Sequence, residues 1–219
     1  MFVGHLAVAL AAKPRVPRVQ LGWLMAAACL LDLLWPLFLL AGLETVSIVP
    51  GTTPINPLVF DSYPWSHSLL FTVGWGLVFA AALAGTRVIE GRAAFWTIVA
   101  LVTSHWVLDW VSHLPDLPLW PGASSPKLGL GLWRSLRATF VVEGLLWVAG
   151  LALYLRQCPP RGRAGQVAFW SLVVVCTVMW VGGPFGPPPG SPRELAYFAL
   201  VGWLVPAWAA LADRCPRAT

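Results

Sequence analysis

Charge is what this chain has least of. Only 11% of its 219 residues are charged, against 58% that are hydrophobic. A water-soluble domain carries about 25% charged residues, so there is too little polar surface here to cover a globule in water. The same shortage excludes a disordered chain and a coiled coil, and a net charge of +5 on so apolar a chain gives no basis for nucleic-acid binding. The four cysteines, Cys29, Cys158, Cys176 and Cys215, contain no CxxC pair, so neither a disulfide framework nor a thiolate metal site is expected. Also missing are a Gly-rich phosphate loop, a dinucleotide fingerprint, internal repeats and low-complexity tracts.

What is present is hydrocarbon, in runs close to the roughly 20 residues that cross a bilayer. Such runs fall at about 21–43, 67–86, 93–113, 138–156, 166–183 and 195–212, separated by Pro- and Gly-rich breaks such as Pro54 to Pro57 and Gly186 to Gly190. The expected fold is an all-α polytopic membrane helix bundle of about six transmembrane helices, with residues 1–219 as a single integral-membrane domain and the lipid bilayer as its first partner. Lys13, Arg15 and Arg18 precede the first run as they would in a signal peptide. That run is longer than a signal h-region and ends in no small-x-small cleavage site, so it reads as a span. Residues 1–12 are apolar but too short to cross, and form either a half-inserted helix or a segment lying at the interface.

With a cytoplasmic N-terminus, six spans put ten of the 14 Lys and Arg on the cytoplasmic side, Arg214 and Arg217 among them, and leave Lys127, Arg134, Arg137 and Arg193 outside. The positive-inside rule then predicts both termini in the cytoplasm. Trp65, Trp120 and Trp133 fall near the proposed outer ends, where an aromatic belt sits.

Asp32, Asp109 and Glu143 lie inside these runs, and His5, His67, His105 and His113 lie in apolar segments or at their ends. A charged side chain at a helix centre costs about 2.5–3.5 kcal/mol even on the lenient insertion scale, so such residues face a bundle interior and serve a function. At the helical rise, Asp32 stands about 16 Å and His105 about 18 Å above the cytoplasmic end. His67 and Glu143 run inward from the other side, so these residues share one layer in the outer half. A half-helix over residues 1–12 would bring His5 to about 12 Å, near the same layer.

Imidazole and carboxylate together form the ligand set of a divalent Zn, the first choice here, or of Mn or Fe. His105-x-x-x-Asp109 places two ligands one turn apart on one helix face; the plainer reading is an Asp accepting a hydrogen bond from a buried His. His113 extends that face and is a further candidate metal ligand, and Asp116 follows in the loop; each reads as an outer ligand, a supporting partner or a surface residue, the last being the simpler reading for Asp116. Ser68 reads as a helix cap rather than a nucleophile. Glu143 is the candidate catalytic residue, a general base or acid or a further ligand; its plain alternative is a partner for Arg137.

Taken together, Gly4-His5, Leu30-Leu31-Asp32-Leu33-Leu34-Trp35-Pro36, Ser66-His67-Ser68-Leu69-Leu70 and Ser104-His105-Trp106-Val107-Leu108-Asp109 resemble the motifs of a bacterial family of inner-membrane metal-dependent hydrolases. The resemblance covers mainly residues 1–135. It implies that His5, Asp32, His67, His105 and Asp109 are metal ligands, that the activity is hydrolytic and that the compartment is a bacterial cytoplasmic membrane. Around Asp32 this chain carries one acid where the family's motif has a pair.

Two function classes follow. A metal-dependent hydrolase would act on an ester or phosphoester, with a lipid-linked or amphipathic substrate entering from the outer leaflet beneath loops 44–66 and 114–137, which would serve as lids. A small transporter or proton-coupled permease would use the same His/Asp cluster as an ion or proton site. A structural or regulatory protein that binds a metal for stability is a third reading. The last two apolar runs contain no ionisable residue before Asp213, which favours a local site over a path across the membrane.

Overall fold

The structure is a computed structural model that describes residues 1–213; Arg214, Cys215 and Arg217 lie outside the described residues. All six apolar runs are helical, and the expected all-α bundle is what forms. The N-terminal helix α1 (Val3–Ala12) leads into a pair, α2 (Leu21–Ala28) and α3 (Leu30–Leu40), bent by 58° at Cys29. A strand β1 (Thr45–Ile48) pairs antiparallel with β2 (Leu58–Ser62), and a single turn α4 (Pro64–His67) follows. Helices α5 (Leu69–Gly85) and α6 (Gly91–Ser112) come next, and beyond them the short antiparallel pair β3 (Leu117–Pro118) and β4 (Lys127–Leu128). The chain ends in α7 (Leu136–Gln157), α8 (Gly162–Gly182), α9 (Pro192–Ala199) and α10 (Leu204–Ala212).

The span count is lower than the expected six. Among the described residues four helical segments are long and apolar enough to cross a membrane, Gly91–Ser112, Leu136–Gln157, Gly162–Phe185 and Pro192–Ala212, and a fifth forms if the bent α2 and α3 act as one. The segment taken as the second span is shorter, because α5 begins at Leu69 behind its Ser68 cap and runs for 17 residues. Ser68 Oγ accepts from the Phe71 amide at 3.3 Å, so Ser68 is the cap its position suggests. Both loops read as lids carry small hairpins, seated over a satellite core of Trp35, Val46, Tyr63, Trp106 and Leu117.

The N-terminal segment is inserted in the bundle rather than laid on its surface. Seven of the ten α1 residues, His5 included, are buried. Helix α7 makes room with a buried stripe of Thr139, Glu143, Trp147, Gly150 and Tyr154, recurring every three or four residues. Gly150 is required there, since a Cβ on it would lie 2.5 Å from the Ala7 carbonyl oxygen. Helix α6 buries a matching stripe of Ile98, Val102, His105, Asp109 and Ser112, which carries two of the expected ligands inward. At the opposite end, the Lys13 ammonium donates to Asp213 and to the Val19 carbonyl, each at 2.6 Å, fastening the end of α1 to the start of α2 and the end of α10. Cys29 and Cys176 are free thiols.

Candidate metal centre

Four elements converge at the hairpin end of the bundle. The 58° bend aims the first turn of α3, with Asp32, at the α6 stripe; α4 delivers His67, and α1 delivers His5. The structure brings the side chains expected as ligands into two overlapping groups, His5 with His105 and Asp109, and Asp32 with His67 and His105. Around the second group, His67 Nε2 lies 3.6 Å from Asp32 Oδ1 and 3.8 Å from Asp109 Oδ2, while His105 Nε2 lies 3.7 Å from Asp32 Oδ1 and 3.0 Å from Asp109 Oδ2. Ligands about 2.1 Å from a tetrahedral cation stand about 3.4 Å from one another, and these four separations bracket that value.

The hydrogen bonds behind the rings decide which nitrogen faces inward. Ala28, the last residue of α2, offers its carbonyl to His105 Nδ1 at 2.7 Å. A carbonyl only accepts, so Nδ1 carries a proton and Nε2 is the nitrogen turned toward the carboxylates. Ser66 Oγ donates to Glu44 at 2.7 Å and therefore accepts from His67 Nδ1, also at 2.7 Å, which leaves His67 Nε2 facing inward as well. His105 Nε2 is buried without a hydrogen-bond partner, out of line with Asp109 despite its nearness. An orphaned buried polar atom costs about 1–3 kcal/mol. Two imidazole lone pairs facing two carboxylates repel unless a proton or a cation stands between them, and a divalent ion satisfies all four at once.

Asp109 is the hub. Its Oδ1 lies 3.1 Å from His5 Nε2, 3.9 Å from His113 Nε2 and 2.5 Å from the Met1 amine, while Oδ2 serves His105 and His67. His113 stands outside both ligand groups; its Nδ1 contacts Asp116 at 3.1 Å, and Tyr63 donates a short hydrogen bond to the same carboxylate. Asp116 is thus the supporting partner of His113 and not the surface residue that was the simpler expectation. Glu143 is buried, and its Oε2 accepts from the amides of Phe2 at 2.9 Å and Gly4 at 3.4 Å, an arrangement that replaces the Arg137 pairing considered from sequence.

Three contributors were not foreseen: Glu44, Ser66 and Tyr63. Burial pushes the Glu44 carboxyl up from its ordinary range, against the two Ser66 hydrogen bonds that pull it down. Burial also raises the Tyr63 phenol well above its usual value, with the Asp116 carboxylate adding to the effect. The signal for Ser66 was its place beside His67; Glu44 and Tyr63 sit in loop sequence that carries no such mark.

A cavity of 350 Å³ opens on the cluster, with Asp32, His67, Asp109, His113 and Glu143 on its wall. Asp32 is the open member, its side chain 50% exposed where Asp109 is 2% exposed. Fold and site together define an all-α membrane protein with a buried His/Asp group able to hold a metal ion. Compared with protein-family models, with curated proteins and with solved structures, the chain matches none.

Proposed function

We propose that the protein is a membrane-embedded metal-dependent hydrolase that cleaves an ester or phosphoester in a lipid-linked or amphipathic substrate. The observation that carries this reading is the pair of inward Nε2 atoms of His67 and His105, set against the oxygens of Asp32 and Asp109. His5, His67, His105, Asp32 and Asp109 would hold the ion, with Zn favoured by the mixed nitrogen and oxygen donors and Mn or Fe as alternatives. A bound divalent ion supplies Lewis acidity, polarising the scissile linkage and lowering the pKa of a water. The half-exposed Asp32 receives the polar part of the substrate from the cavity, and Glu143, on the wall of the same cavity, exchanges a proton with the attacking water or the leaving group. His113, steadied by Asp116 and Tyr63, closes the far side.

A local site suits hydrolysis better than transport. Beneath the cluster the bundle is filled by Leu6, Leu10, Leu24, Ile98 and Val102, all buried. The distribution of Lys and Arg supports a bacterial cytoplasmic membrane with the Lys13 end of α1 on the cytoplasmic side and the cluster, where the Met1 amine meets Asp109, in the outer half.

Metal content by mass spectrometry on protein purified in detergent tests the reading, with His105→Ala and Asp109→Ala as comparators. The expected result is near-stoichiometric Zn, Mn or Fe in the wild type and its loss in both variants, with helical circular dichroism unchanged. Hydrolysis of lipid phosphoesters should then fall in Glu143→Gln without loss of metal. A folded wild type that takes up no metal after supplementation overturns the reading.

A further inference from the structure

We infer that the apolar groove between α3, α8 and the α9–α10 segment is an acyl-chain subsite, which seats one hydrocarbon chain of a membrane phospholipid while the polar linkage of that lipid lies at Asp32. The chain subsite deepens the hydrolase reading and rests on it for the placement of the linkage. The groove has a volume of 330 Å³ and meets the cavity over the metal cluster along a shared wall that includes Asp32, Trp35, Met179 and Phe198.

The two spaces differ in chemistry. The first holds the imidazoles and carboxylates of the cluster. The second is walled by side chains such as Leu33, Leu172, Val175 and Val205, and Asp32, at the junction, is its one charged residue among the described residues. A ligand that fills both must therefore carry a polar group at one end and a long apolar body at the other. Val175, Leu204 and Phe198, on the rim of the groove, are exposed on helices apolar enough to cross a membrane, so the medium at the rim is lipid. A water-soluble ester would find no counterpart for its polar atoms there, whereas a bilayer lipid reaches the groove sideways without passing through water. Gly202 keeps the wall low: a Cβ placed on it meets only Leu33, at 3.6 Å.

Photocrosslinking tests the subsite. The full chain is reconstituted in vesicles of phosphatidylethanolamine and phosphatidylglycerol that contain a trace of phosphatidylethanolamine with a diazirine in one acyl chain, and labelled peptides are mapped by mass spectrometry. Labelling of Val175, Leu204 and Val205 should exceed that of Leu145 and Val148, exposed residues of α7, by several-fold. Gly202→Leu, which fills the groove, should bring it down to the α7 level, and Val175→Trp on the opposite wall should do the same if the first variant folds poorly. Uniform labelling of all exposed apolar residues in the wild type overturns the inference, and so does enrichment that persists in a folded, filled variant. Labelling by a diazirine fatty acid but not by the phospholipid overturns the phospholipid assignment. Metal content measured on the same samples keeps the two readings apart, because loss of metal with groove labelling intact counts against the hydrolase alone.

Discussion

His5 and His105 stack face to face, their ring centroids 3.7 Å apart and their planes within 2° of parallel, and each presents Nε2 to a different oxygen of Asp109. The contact joins the first turn of the chain to the middle of its longest buried stripe, and makes α1 a wall of the site and not a lid over it.

His5→Phe keeps a flat ring against His105 and removes only the nitrogen. Thermal stability should stay close to wild type, while metal affinity falls by more than the roughly 10–100-fold typical of losing a supporting partner. His5→Ala should lose metal to the same extent and also lower the melting temperature through the cavity it opens. Metal titration alongside thermal unfolding separates the two effects; unchanged affinity in His5→Phe would make His5 a packing residue.

Behind His67, the Ser66 and Glu44 contacts hold the ring in the tautomer that a ligand needs. Ser66→Ala frees that ring to rotate, and Glu44→Gln weakens the acceptor that orients Ser66. Each is expected to weaken metal binding by about 10–100-fold while leaving the helical content intact. Equilibrium metal competition with a chromogenic chelator reads the change directly.

Gly150 lets α1 and α7 approach backbone to backbone. In Gly150→Ala the added Cβ would sit 2.5 Å from the Ala7 carbonyl oxygen, so the helices must part. Overpacking of this kind costs about 1–3 kcal/mol. Because α1 carries His5, metal affinity should drop along with stability, although Gly150 touches none of the ligands. A matched substitution at Gly74, which has open space around it, is the control and should alter neither.

Lys13 sets a pH dependence at the other end. Burial lowers its pKa from the usual 10.5, so just below that pH the folded chain binds fewer protons than the unfolded one. Stability therefore rises with pH in that window, since the unfolded state is the one that gives up a proton as pH increases. Lys13→Met cannot titrate and should flatten this part of the curve, read as melting temperature against pH in detergent.

Much of this architecture was legible in the residues. Long apolar runs left the backbone no alternative to helix inside a bilayer, and His105 with Asp109 declared a shared face through their spacing alone. The bend between α2 and α3 was not legible, because it falls at Cys29, where the sequence carries no breaker, whereas Pro36 is accommodated inside α3. The length of α5 escaped for a related reason: the apolar run extends past the Ser68 cap, and composition does not say where the helix begins. Glu44, Tyr63 and Asp116 were missed or undervalued because their roles come from hairpin geometry, which brings loop residues over the cluster without any periodic pattern.

The placement of α1 has a consequence for the order of biogenesis. This helix precedes α7 in the chain, yet α7, complete only at Gln157, supplies the largest part of the surface that buries it, with α2 and α6 supplying the rest. Until then the apolar segment around His5 has α2 beside it but lacks the face that α7 supplies. Residues 5, 32, 67, 105 and 109 can meet only once the chain is in place through the end of α6 at Ser112, so an ion bound by all of them would be acquired no earlier than that.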